Sequence, residues 1–205
     1  MIILDPFDQS DIVEERIDSG SDRFDEVWEG VYVVSPLPND EHQEIVANFI
    51  ICFGVVIQLT KVGKVRPGVN ISDRVENWDK NYRGPDVVVF MNDTKAQNHN
   101  SFWLGGPDFA VEVVSRNDQS REKFDFYAKV GMRELLIVDR YPWALELYRL
   151  GEVGTLNLVG RSTLDQPDLL VSQVLPMSFR LQADEAEERP KISVTHLEDA
   201  RVWLV

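Results

Sequence analysis

One cysteine among 205 residues, Cys52, excludes any internal disulfide and any cysteine-rich zinc site. No apolar run approaches the ~18 residues that a membrane-spanning helix needs. The opening stretch, MIILDPFDQSDIVEERID, has neither a basic segment nor a long apolar one, so no secretory leader is expected and a cytoplasmic location is the expectation. Histidine is scarce, and His42, His99 and His196 share no metal-ligand spacing. Positive charge is short as well. Lys and Arg total 21 against 35 Asp and Glu, a net of −14. So acidic a chain does not coat nucleic acid or anionic lipid non-specifically, because both repel it.

What remains is a chain that can build a core. Hydrophobic residues make up 43%, which suits a globular fold, and the length suits one domain over 1–205. The acid is unevenly spread. Residues 1–60 carry 13 acids and 2 bases, residues 61–133 carry 10 and 12, and residues 134–205 carry 12 and 7. The middle third is thus net +2 inside an acidic chain. Two readings stay open: acidic ends that keep the protein soluble, or a middle that faces an anionic partner.

The pattern predicts an α/β (α+β) domain. The first 20 residues lack periodicity and read as a loose lead-in. VWEGVYVVS (27–35) reads as a hairpin or edge strand. Ile45, Val46, Phe49, Ile50, Phe53, Val56 and Ile57 follow helical spacing, which predicts a long helix over 41–60 capped by Asp40. Cys52 lies inside it as a packing residue. PDVVVFM (85–91) and DFAVEVVS (108–115) read as buried strands. A helix over 119–132 follows, capped by Asn117 or Asp118 and closed near Gly131. ELLIVD and ALELYRL are strands. Residues 151–182 read as a β-hairpin extension to a 24–150 core. Residues 183–205 read as a tail with a strand and a helical turn.

Two acids stand in apolar strands. Asp86 opens the Val-rich strand, and Glu112 lies near the end of the next. A carboxylate there costs several kcal/mol unless it is paired, protonated or bound to a cation. If the strands are antiparallel neighbours, the two acids converge at one end of the sheet, where a divalent cation relieves their repulsion. Lys123 borders the apolar stripe of the following helix and can reach that end. The plainer readings are a strand-opening cap for Asp86 and a structural salt bridge between Glu112 and Lys123.

These residues resemble the Uma2 (DUF820) family, a branch of the PD-(D/E)xK nuclease superfamily. The likeness runs from Phe24 to Leu181, through WEGVYVVSPLPNDEHQEI, GPDVVVF, PDFAVEVVSRNDQSREKFDFYAKVGMRELLIVDR and LELYRL. It implies a restriction-endonuclease-like core with a mixed sheet flanked by helices. It implies Asp86 and Glu112 as ligands of Mg²⁺ (or Mn²⁺), joined by the backbone carbonyl of Val113. It implies Lys123 as the catalytic lysine, because Val114 occupies the place where the superfamily usually has one. Glu29 matches the acid of the first element, and His42 matches a family histidine of unassigned role. The expected activity is metal-dependent cleavage of DNA, weakly bound because of the net charge. Arg66, Arg74, Lys80, Arg83, Arg116, Arg121, Lys129 and Arg133 are the candidate phosphate contacts, and Trp78, Tyr82, Phe102 and Trp103 are candidate base-stacking rings. The alternative is a nuclease-fold module that binds or assembles without turnover. A homodimer through the hairpins after residue 144 is a further expectation.

Overall fold

The computed structural model describes residues 2–3, 9–115, 119–184, 186 and 189–205. A central six-stranded mixed sheet runs in the order Leu156–Thr163, Trp143–Leu150, Glu134–Arg140, Phe109–Val113, Val87–Met91, Gly63–Pro67. All neighbours are antiparallel except Phe109–Val113 and Glu134–Arg140, which are parallel. A parallel pair cannot be joined by a hairpin and needs a crossover. That crossover contains a 3₁₀ turn, Ser120–Lys123, and a short α-helix, Phe124–Lys129.

Because side chains alternate across a strand, the sheet feeds two cores. Val87, Val89, Phe109, Val111, Leu136 and Val138 face one side, where the helix Asp40–Phe53 packs through Ile45, Phe49 and Phe53. Val88, Phe90, Ala110, Leu135 and Ile137 face the other, against Phe126, Tyr127 and Met132 of the crossover. Glu112 has the parity of Ala110, so it shares the crossover side. A four-stranded antiparallel sheet (Leu170–Val171, Met177–Gln182, Lys191–His196, Val202–Leu204) covers the first core. Its Phe179 ring lies 5.6 Å from Phe109 and 6.3 Å from both Phe49 and Phe53. A third sheet of seven short strands includes Glu26–Trp28, Val31–Val34 and Tyr82–Arg83.

Several sequence expectations change. Gln9–Ser19 is a helix rather than a loose lead-in. Its apolar side chains make too weak a stripe to announce it, and it is held from outside, where Arg16 grips Asp25 at 2.5 and 2.9 Å. The long helix is α only to Phe53 and then widens into a π turn, Gly54–Gln58. Its cap is Asn39, whose side chain accepts from the His42 amide at 3.1 Å, and not Asp40. The helix expected over 119–132 is shorter and begins as the 3₁₀ turn; Asn117 and Asp118 lie outside the described residues. The chain does not end in a helical turn. Lys191–His196 and Val202–Leu204 form a hairpin that buries Ile192, Val194 and Val205 in the first core.

The loop entering the Glu112 strand is pressed against the end of the crossover. The Gly106 amide donates to the Val130 carbonyl at 2.7 Å. A Cβ on Gly106 would lie 2.6 Å from the Met132 nitrogen and 2.9 Å from its Cα, both backbone atoms. Gly106→Ala is therefore expected to destabilise the fold by about 1–3 kcal/mol, measured by denaturant unfolding.

Candidate functional site

The antiparallel register pairs Val111 with Val87, which puts Asp86, one residue before its strand, beside Glu112. Asp86 is held at both oxygens. Oδ2 accepts from the Val113 amide at 2.7 Å, and Oδ1 lies 3.0 Å from His42 Nε2, at the start of the long helix. Glu112 is 3% exposed. Its Oε1 accepts from Lys123 Nζ at 3.2 Å and from the Tyr127 hydroxyl. Lys123 is itself 4% exposed and donates to Glu26 Oε1 at 2.9 Å. Glu26 accepts further from the Gly84 amide at 2.9 Å and from Trp28 Nε1 at 2.6 Å. Three acids and one lysine from four segments thus meet in a cleft of about 150 Å³, lined also by His42 and Val113.

One buried lysine cannot neutralise this many acids. Burial pushes the Glu112 carboxyl up to about 8; Lys123 pulls it down, and Asp86 and Glu26 add to the rise. Tyr127 is raised well above its ordinary value, first by burial and then by these acids, so its hydroxyl stays a donor. Carboxylates with a carbonyl nearby are the hard oxygen donors that Mg²⁺ takes. Among the described residues no three His, Cys, Asp or Glu form a ready-made metal cage. Mg²⁺ usually binds one or two carboxylates and keeps waters or substrate oxygens for the rest. The donor set at Asp86, Glu112 and Val113 therefore fits the ion.

The far wall is braced by Arg140, which donates to the Val114 carbonyl at 3.1 Å, Ser115 Oγ at 3.0 Å, Asn39 Oδ1 at 2.9 Å and Glu41 Oε1 at 2.8 Å. This ties the end of the Glu112 strand to the helix start that carries His42.

A family model described as "Uma2: Putative restriction endonuclease" matches residues 12–184. The chain belongs to the Uma2 family. It also resembles the crystal structure of a putative nuclease belonging to DUF820 from Anabaena variabilis, with a TM-score of 0.56 and 18% identity, over 72% of this chain and 80% of that one. At that identity the likeness speaks for the fold. No curated protein matches.

Within this Uma2 chain, Asp86, Glu112 and Lys123 come together, with His42 beside Asp86. Glu29 does not join them. It sits in the turn after Trp28 with a φ of 49°, its side chain 62% exposed, bonded to Arg74 at 3.1 Å and Asn81 at 2.9 Å. The first-element acid in the cleft is Glu26. Glu26 lies in the paired strand Glu26–Trp28, whereas Glu29 falls in the turn after it. Tyr127, buried in the crossover-side core, also bonds Glu112.

The basic middle third is not a bare positive face. Arg74 pairs with Asp73 and Glu29, Lys80 with Asp79, Lys129 with Asp73, Arg133 with Asp108, and Arg121 with Asp139 and Glu146. Arg83 is buried over the Trp28 and Phe126 rings. Arg66 bonds Gln58 and the Val65 carbonyl, and Arg116 lies outside the described residues. Phe102 and Trp103 are buried. Phe102 stacks between Trp78 and His99, and Trp103 stacks on Phe90. Cys52 is buried with its thiol pushed up to about 12 by burial, which suits packing and not nucleophilic attack.

In the metal-free protein Glu112 holds its proton more tightly when folded than when unfolded. Its contribution to stability is present at acid pH and is lost as pH rises from the ordinary value of 4.5 to about 8. A fall in stability across that span is expected. Glu112→Gln removes it. Unfolding free energies of chelator-treated wild type and variant, followed across this range, are expected to converge toward low pH and separate toward high pH.

Proposed function

We propose that the protein is a metal-dependent nuclease that hydrolyses DNA phosphodiester bonds at the Asp86–Glu112 cleft. The observation that carries this reading is the meeting of Glu112, Glu26 and Lys123 at hydrogen-bond distances, with Asp86 bonded to the Val113 amide next to Glu112, in a chain of the Uma2 family. Asp86 and Glu112, with the Val113 carbonyl, hold Mg²⁺ (or Mn²⁺), which when bound polarises a phosphoryl oxygen and lowers the pKa of a water. His42 and the Val113 amide fix Asp86 so that its remaining lone pairs face the cleft. Tyr127 and Lys123 fix Glu112 through Oε1, leaving Oε2 for the ion. Lys123 adds positive charge where the phosphate becomes more negative in the transition state. Glu26 holds the lysine in place from the small sheet.

A binding or assembly module without turnover is the second reading. It is favoured by one observation, that the Lys123 ammonium is already engaged by Glu112 and Glu26. Plasmid cleavage with Mn²⁺ separates the two. Asp86→Asn and Glu112→Gln are expected to lose about a hundredfold or more in rate. Glu26→Gln is expected to fall with them, while Glu29→Gln stays within about threefold of wild type; the reverse order would restore Glu29 to the site. Mn²⁺ is also expected to raise the thermal midpoint of wild type but not of Glu112→Gln. Stabilisation by Mn²⁺ with no cleavage of any nucleic acid would favour the module.

A further inference from the structure

The cleft lies among acidic residues. Asp25 and Glu26 line it, and Asp40 and Glu41 stand at the start of the helix that carries His42. Duplex DNA carries one charge per ~1.7 Å of axis, and proteins that hold it do so with unpaired Lys and Arg along its backbone. Here Arg74, Arg121, Lys123, Lys129 and Arg133 of the middle third are engaged by acids. Arg23, which is exposed, also lines the cleft, so the charge there is mixed and part of the affinity must come from elsewhere.

The mouth of the cleft offers it. Phe24 and Leu37 both line the opening, and they are 40% and 78% exposed. Single exposed apolar residues are ordinary, but these two flank a carboxylate-lined site. Leu37 stands between Pro36 and Pro38. Two fixed φ angles hold it out with little entropy left to lose on binding. The cleft, at about 150 Å³, is smaller than the ~300–1,000 Å³ of sites that engulf a ligand. It has room for a phosphate group, so the sugar and base must lie over the rim. In a duplex the base faces are stacked and hidden. In an unpaired strand they are open to aromatic and apolar side chains.

We infer that the cleft acts on an unpaired DNA strand, its phosphate entering toward Asp86 and Glu112 and its base resting on Phe24 and Leu37. This rests on the nuclease reading above. Three substrates of one sequence test it in Mn²⁺: a single strand, a blunt duplex, and a duplex with a single-stranded overhang. The single strand and the overhang are expected to be cut with kcat/KM at least tenfold above the blunt duplex. Phe24→Ala and Leu37→Ala are each expected to raise KM for the single strand about tenfold, equivalent to ~1.4 kcal/mol, with kcat within twofold. Val153→Ala, at an exposed position outside the cleft, serves as the unchanged control. Equal kcat/KM for blunt duplex and single strand, or unchanged KM in both rim variants, overturns the inference and leaves the metal site standing. Failure of wild type to cut any of the three overturns the nuclease reading and this inference together.

Discussion

The Lys123 ammonium, buried between Glu112 and Glu26, is the contact on which the arrangement of the site depends. A charge out of water is tolerated only with close partners. Glu112 belongs to the central sheet, Glu26 to the small sheet and Lys123 to the crossover between parallel strands. One ion-paired group therefore fixes three separately built pieces relative to one another. Its removal would leave two acids facing each other and Asp86 with no cation among them. Burial first, and the neighbouring acids after it, raise the Glu112 carboxyl.

Around that contact the protein is a platform with a core on each side. The strands Val87–Met91, Phe109–Val113 and Glu134–Arg140 are almost wholly buried, and alternate residues anchor the long helix and the crossover. Asp86 and Glu112 sit where these strands meet the cleft, so rigid packing sets their separation. Arg140 joins the strand end to the helix start, and His42 then reaches Asp86 from a fixed base. Positions set by strands and a helix N-terminus hold a constellation more tightly than loops do.

The net charge takes on a different meaning in three dimensions. As a sum along the chain, the middle third looks suited to phosphates. Folded, Arg74, Arg121, Lys123, Lys129 and Arg133 meet acids, some of them distant in sequence, such as Arg74 with Glu29 and Arg121 with Glu146. Burial and these bonds together leave Asp73 below the usual carboxylate range, with Arg74 and Lys129 outweighing the desolvation. What remains near the cleft is acid inside, with Arg23, Phe24 and Leu37 exposed along its lining.

Periodicity and composition determined much on their own. The Val-rich strands, the helix through Phe49 and Phe53, the inert buried Cys52 and the α+β class follow from local patterns whose physics is local. Asp86 and Glu112 could be singled out because a carboxylate in an apolar strand is costly wherever the strand lies, and Lys123 through the resemblance to the family. The tertiary structure decided what depends on partners far along the chain. Glu26 and not Glu29 enters the site, because pairing with Val31–Val34 turns one inward and leaves the other in the turn. The helix Gln9–Ser19 exists through a bond to Asp25 that no local stripe reveals. The four-stranded sheet joins the core because Phe179 meets Phe49 and Phe53, on a helix more than a hundred residues earlier. Such contacts are set by register and packing between segments, and a linear pattern carries no record of them.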